Sequence, residues 1–169
     1  MFLSPRWSRS VILMIGALSV TGTLAACAPA VDVAPAPASA NAACAPEMIA
    51  LPDSLGGFPL RETASQGTAA WGDPTAVVLR CGVASPPPTT SDCATVNGID
   101  WVITPSKQDP HIFTLTTYGR TPATEIVLDD RVVASSTVLP QLAGAAAKIP
   151  QGDHRCLGVP DLATASPTG

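Results

Sequence analysis

Residues 112–118 read Ile-Phe-Thr-Leu-Thr-Thr-Tyr, and this stretch decides the fold class. Its side chains are almost all β-branched or aromatic, which are the types that favour a strand. Gly119 follows as a turn signal, and Pro122 comes shortly after it. Residues 125–128 (Glu-Ile-Val-Leu) form another strand-like run directly beyond this turn. The spacing therefore predicts two neighbouring strands that pair with each other.

Two earlier runs, residues 76–83 and residues 99–103, alternate between two sets of side chains. Alternation with a period of two places every second side chain on the same face of a strand. Such a pattern is typical of an antiparallel sheet with one buried and one solvated face. The side chains that share one face are Val77, Leu79, Cys81 and Val83 in the first run, and Ile99, Trp101 and Ile103 in the second.

Helical signals flank the strands on both sides. Residues 46–51 predict a short opening helix with Pro46 in its first turn. Residues 136–149 are alanine-rich, and their larger apolar side chains recur at helical spacing. The order of helix, four strands and helix predicts an α+β fold. We expect a small antiparallel sheet of about four strands, with a short N-terminal helix and a C-terminal helix, stapled by disulfides.

The N-terminus has the three zones of a secretory signal. Arg6 and Arg9 give it a positive start, and residues 11–24 are uncharged and mostly apolar. That stretch is shorter than the roughly 20 apolar residues of a spanning helix. Leu24-Ala25-Ala26-Cys27 then resembles the lipobox of bacterial lipoproteins at all four positions. The alternatives are an ordinary signal peptide or a short uncleaved membrane helix.

The lipobox resemblance implies that residues 1–26 are a signal peptide and that Cys27 carries a palmitate-type diacyl lipid. Two acyl chains are enough for stable anchoring. We therefore expect a lipoprotein on the extracytoplasmic face of the cell membrane. Residues 27–43 are rich in alanine and proline and predict a tether, which could reach roughly 50 Å from the bilayer if fully extended. Residues 44–157 form a single domain, and residues 158–169 are expected to be a disordered tail.

The charge of the chain excludes some partners. Without the signal, seven Lys and Arg remain against thirteen Asp and Glu, a net charge of −6. Nucleic-acid binding needs a basic surface, so no nucleic-acid partner is expected. The same acidity argues against electrostatic docking on anionic lipid.

The chain has five cysteines, and assigning Cys27 to lipid leaves four. An even number in an exported domain predicts disulfides, but four cysteines allow three pairings. We favour Cys81–Cys93, which would close the proline-rich loop between two strands, and Cys44–Cys156, which would clamp the ends of the domain. A zinc site using His154, His111 and Cys156 is the rival, but the ligand spacing does not fit known zinc modules. We expect no metal and no cofactor.

Catalytic signatures such as a Gly-x-Ser-x-Gly elbow, a His-Glu-x-x-His motif or a glycine-rich phosphate loop are absent from the sequence. We therefore do not expect an enzyme. Aromatic side chains and arginines cluster in a few patches, and arginine binds carboxylate or phosphate in a planar, bidentate way. The alternative is structural, with the tryptophans in the core and Arg80 paired with Asp100. The candidate ligand-binding residues are Arg80, Asp100, Trp101, Tyr118 and Arg120.

The same patches carry a family resemblance. The chain resembles the actinobacterial domain-of-unknown-function family 3515 (DUF3515), whose members are small exported or lipid-anchored proteins. The matching motifs are Cys44 with Pro46, Trp71-Gly72-Asp73-Pro74, Arg80-Cys81-Gly82-Val83, Val96-Asn97-Gly98-Ile99-Asp100-Trp101, Thr117-Tyr118-Gly119-Arg120-Thr121-Pro122 and the closing Cys156. Ile99 departs from the valine expected at its position. The resemblance implies export and actinobacterial origin, and it implies no activity.

Two classes of function remain open from the sequence. The first is a non-enzymatic cell-envelope lipoprotein that binds an envelope component or a partner protein. The second is an envelope hydrolase with an active site that no motif reveals. Arg120 lies in a predicted turn, where side chains are exposed and binding groups concentrate. If Arg120 and Arg80 line the same cleft, the two guanidinium groups would form an anion site.

Overall fold

The computed structural model describes residues 29–157 of the chain. In this range the chain forms two helices and eight strands. The helices are α1 (Cys44–Ile49) and α2 (Ser135–Ala146), and the strands are β1 (Ser54–Leu55), β2 (Phe58–Arg61), β3 (Thr68–Trp71), β4 (Val77–Val83), β5 (Cys93–Val96), β6 (Ile99–Pro105), β7 (Ile112–Thr117) and β8 (Ala123–Asp129). Cys27 and the rest of the signal lie outside the described residues, as does the predicted tail. Within residues 29–157, neither helix has the length and apolar character needed to cross a bilayer.

All eight strands join one antiparallel sheet in the order β1-β2-β3-β4-β8-β7-β6-β5. The prediction of an α+β fold with about four strands is therefore wrong, and the domain is mostly β. The four predicted strands are present as β4, β6, β7 and β8. The four missed strands have only two to four residues each. Such short segments carry too few residues for a period of two to be read, and all four residues of β3 are buried, so it has no alternation.

The core lies on the face of the sheet that α2 covers. Trp71, Trp101, Leu115 and Ile126 are fully buried there, together with Leu142 from the helix. Along β4 and β8, every second side chain is buried on this face, and the side chains between them lie on the opposite face, which we call the outer face. These two environments explain the alternating pattern seen in the sequence.

Both helices are close to their predicted positions but differ at the ends. The first begins at Cys44 and ends at Ile49, two residues earlier than predicted at each end. The second ends at Ala146 instead of residue 149, and no side chain caps its start, although its first two residues are Ser135 and Ser136. Pro140 lies inside this helix beyond its first turn. Buried contacts from Val138, Leu139 and Leu142 hold this face on the core despite the proline.

The alanine- and proline-rich segment does not form a free tether over residues 31–38. Val33 and Ala36 are buried, Val31 forms a parallel bridge with Thr63, and the Ala38 amide donates to the Gly82 carbonyl at 3.0 Å. We call residues 29–39 the N-terminal strap. Small side chains allow this segment to lie flat on the sheet, which composition alone did not reveal.

Two disulfides are present, and both pairings differ from the favoured prediction. Cys44 bonds to Cys81, which ties α1 to β4. Cys93 bonds to Cys156, which ties β5 to residues 149–156, the C-terminal segment. Cys81 lies on the core face of β4, whereas β5 is at the far edge of the sheet. Nearness in sequence therefore did not bring Cys81 and Cys93 together.

Candidate functional site

Arg80 lies on the outer face of β4 and pairs with Glu125 on the neighbouring strand. Its Nη2 and Nε donate to Glu125 Oε1 at 2.5 and 3.0 Å. The suggested pairing with Asp100 is therefore wrong. Val31 and Val33 of the N-terminal strap lie beside Arg80 in the same shallow hollow. Arg80 thus joins two strands and supports the strap.

Arg120 is buried, with only 4% of its surface exposed. The expectation that its turn exposes the guanidinium is wrong. Its Nη1 donates to the carbonyl of Ile149, and its backbone forms a bridge with Gln151. Burial lowers the pKa of Arg120, while Asp100 and Glu47 nearby act in the opposite direction. The guanidinium therefore holds the chain beyond α2 against the domain.

Asp100 and Trp101 are also buried, with 6% and 0% exposure. Asp100 accepts a hydrogen bond from Thr95 Oγ1 at 2.5 Å and another from the amide of Cys156 at 3.1 Å. Trp101 belongs to the main core, and its indole N–H has no hydrogen-bond partner in the described chain. Asp100 thus fixes both β5 and the C-terminal segment.

Tyr118 is 7% exposed and stacks on His154, with ring centroids 5.6 Å apart. Its carbonyl accepts from Gln151 Nε2 at 3.0 Å. The next residue, Gly119, has φ +73°, and a Cβ there would collide with the carbonyl oxygen of His154. The Thr-Tyr-Gly-Arg turn therefore has a glycine because the C-terminal segment passes directly over it.

Three of the five candidate residues thus come together, and the other two do not join them. Asp100, Tyr118 and Arg120 all contact the segment of residues 149–156. Arg80 lies on the outer face with Glu125. The next register pair, Cys81 and Thr124, lies on the core face. There Thr124 contacts Glu47 and Cys81 packs with Ile149, and both Glu47 and Ile149 are neighbours of Arg120. The two arginines therefore do not line the same cleft. In the structure, the buried trio anchors the C-terminal segment.

Glu47 is a buried carboxyl group that no motif in the sequence marks. It lies in α1 with 1% exposure, and it accepts from Thr124 Oγ1 at 2.6 Å. Burial raises its pKa from 4.5 to about 7, although the hydrogen bond from Thr124 and the charge of Arg120 oppose this rise. No sequence signal marks it, because a glutamate in a short helix is usually exposed.

An accessible cleft lies where the proline-rich loop meets the C-terminal segment. Two hollows of about 420 and 560 Å³ share Pro88 in their walls. We call them together the Pro88 cleft. Tyr118, His154 and Arg155 contribute to its walls, with hydroxyl groups from residues 89–91 and the carboxylates of Asp92 and Asp153. Among the described residues no carboxylate forms an ion pair with Arg155, and its side chain is exposed.

Arg155 was missed because its position depends on tertiary structure. The disulfide Cys93–Cys156 and the amide of Cys156 bound to Asp100 place it next to the loop. Sequence alone could not choose this pairing. Cys156 is in a disulfide, so its thiol is not free for zinc, and residues 29–157 contain no group of three His, Cys, Asp or Glu side chains placed to hold a metal ion.

The described chain is thus a small disulfide-bonded domain, built on one antiparallel sheet and carrying an open cleft at one end. The chain belongs to the family described as "Protein of unknown function (DUF3515)", which matches residues 9–153. This match confirms the family resemblance. No curated protein and no solved structure matches the chain.

Proposed function

We propose that this protein is a lipoprotein anchored through Cys27 on the extracytoplasmic face of the cell membrane, and that its domain is a non-enzymatic binding module. One observation carries the proposal: all four cysteines of residues 29–157 are used in two disulfides. Structural disulfides persist in oxidising compartments outside the cytoplasm. Cys27, which lies in the lipobox-like Leu-Ala-Ala-Cys, then has no cysteine left in the chain to bond with.

The Pro88 cleft is the place where such a module would bind its partner. Arg155 offers an exposed guanidinium, and Tyr118 with His154 forms a stacked pair beside it. An arginine with no ion pair among the described residues suits a carboxylate or phosphate group. The ligand class is therefore an anionic envelope component, recognised in part through its acid group.

The anchor is tested by replacing Cys27 with serine in the full chain. We expect the wild-type protein in the membrane fraction, with an N-terminal peptide whose mass includes a diacyl lipid. Cys27→Ser should leave the membrane fraction or accumulate with its signal uncleaved. Thr23→Ser is the matched control, because it changes a nearby residue and keeps the cysteine. Membrane retention of a cleaved wild-type chain without lipid would contradict the proposal.

Binding is tested by calorimetry with two probes, soluble muropeptides and inorganic phosphate. Arg155→Ala should lose at least tenfold in affinity, whereas Lys148→Ala removes an exposed cation outside the cleft walls and should leave affinity unchanged. Equal affinities in both variants, or no binding of either probe, would contradict the assignment to this cleft. Chromatography of the muropeptides after incubation separates the alternative, since a hydrolase would release products.

A further inference from the structure

The N-terminal strap is fixed to the domain at its first described residue. The guanidinium of Arg61 donates through Nη2 to the carbonyl of Pro29 at 3.1 Å and through Nη1 to the carbonyl of Gly72 at 3.2 Å. Arg61 also lies 3.5 Å from Asp73. Pro29 is therefore held beside the turn between β3 and β4, which contains Gly72 and Asp73.

Further contacts hold the strap along its length. The amide of Val31 donates to the Glu62 carbonyl at 2.8 Å, and the amide of Ala64 donates to the Val31 carbonyl at 3.0 Å. At the other end, the strap passes so close to Gly82 that a Cβ there would collide with the backbone of Ala38. The glycine of the Arg-Cys-Gly-Val motif is therefore needed for the strap to lie on the sheet.

This packing leaves a very short connection to the lipid. Two residue steps separate Cys27 from Pro29, and a chain can span at most about 3.6 Å per residue, which gives about 7 Å. We infer that the surface around Pro29, Arg61 and the β3–β4 turn faces the lipid bilayer at close range. The inference rests on the proposed acylation of Cys27. The domain is then held close to the bilayer in a fixed orientation and is not suspended on a long tether.

The orientation places the Pro88 cleft on the side away from the membrane. Strand β4 begins at Val77, next to the β3–β4 turn, and ends at Val83, where the proline-rich loop starts. Six residue steps at about 3.3 Å each separate these ends by roughly 20 Å. The cleft therefore points toward the envelope space.

The surface near Pro29 does not attract anionic lipid. Arg61 is paired with Asp73, whose side chain is 79% exposed, and Asp53 and Glu62 line the neighbouring hollow. The acyl chains must therefore hold the surface near the headgroups without help from charge. We expect the same orientation on neutral phosphatidylcholine vesicles as on vesicles with anionic lipid.

The test uses the lipidated full chain in phosphatidylcholine vesicles that contain a nickel-chelating lipid. Nitroxide labels are attached at Thr75→Cys beside the β3–β4 turn and at Thr90→Cys in the proline-rich loop between β4 and β5, both exposed positions. Mass spectrometry first confirms that both native disulfides remain. Headgroup nickel should relax the label at residue 75 several-fold more than the label at residue 90.

The matched control inserts twenty glycine and serine residues between Ala28 and Pro29. Such a linker has a typical span of about 25 Å, so the difference between the two labels should disappear. Equal relaxation of the two labels in the diacylated chain without the inserted linker would overturn the inference, whereas the proposed lipid anchor would stand. Absence of a diacyl lipid in the mass of the N-terminal peptide would instead overturn the proposed function, and the inference with it.

Discussion

Replacing Glu47 with glutamine tests whether this buried carboxyl group makes the stability of the domain depend on pH. Its pKa in the folded protein is about 7, raised from 4.5 mainly by burial. Because the pKa of Glu47 is higher in the folded than in the unfolded protein, its contribution to the free energy of unfolding is fully present below pH 4.5. It decreases as the pH rises toward 7, since the folded state then holds a proton that the unfolded state has released. At about 1.4 kcal/mol per pH unit, the loss is about 3 kcal/mol.

Urea unfolding at a series of pH values between 4.5 and 8.5 measures this loss, with tryptophan fluorescence and circular dichroism as two probes of the same transition. The free energy of unfolding of the wild type should fall over this range by about 3 kcal/mol more than that of Glu47→Gln, whose amide does not titrate. Glu62→Gln removes an exposed glutamate and should follow the wild type. Parallel pH curves for the wild type and Glu47→Gln would refute the reasoning.

Three further changes test how the domain is held together. Arg120→Ala should cost roughly 3 kcal/mol in urea unfolding, because it empties a buried side-chain site and leaves the Ile149 carbonyl without a donor. Replacing Cys93 and Cys156 together by alanine opens a closure of 63 residues and should cost about 4 kcal/mol, and non-reducing peptide mapping of the wild type should show this bond. Gly82→Ala places a side chain at φ +103° and should destabilise by about 1–3 kcal/mol while exposing the N-terminal strap to protease.

Each of these has a result that would count against it. A change in the free energy of unfolding within about 0.5 kcal/mol for Arg120→Ala is typical of a surface arginine. It would make Arg120 a candidate for ligand binding again. A peptide joining Cys81 to Cys93 would show that the observed pairing is wrong. Protease resistance of the strap in Gly82→Ala, with unchanged stability, would mean that the strap does not need the glycine.

The sequence was informative about strands wherever the pattern was long. Residues 112–118 and 125–128 formed the predicted pair, β7 with β8, and the seven-residue β4 and β6 also lie where alternation placed them. In two of the motifs that carry the family resemblance, the structure explains the glycine. Gly82 makes room for the strap, and Gly119 makes room for the C-terminal segment.

The candidate binding residues show the limit of the sequence. Arginine beside glycine and tyrosine suggested an exposed anion site, yet Arg120 is buried and Arg80 is paired. A sequence gives the residue type but not which distant segment covers it. The accessible Arg155 lies at the Pro88 cleft because of a disulfide whose partner is 63 residues away.

The amino-acid sequence by itself determined the even set of four domain cysteines, the family and the four longer strands, and it predicts the export signal. These follow from composition and from periodicity within short windows, which depend on neighbouring residues alone. Tertiary structure decided the eight-stranded sheet, the disulfide pairing, the burial of Arg120 and Glu47, and the docking of the strap. Those features depend on contacts between residues far apart in the chain, where burial and the collision of atoms, and not local pattern, select the arrangement.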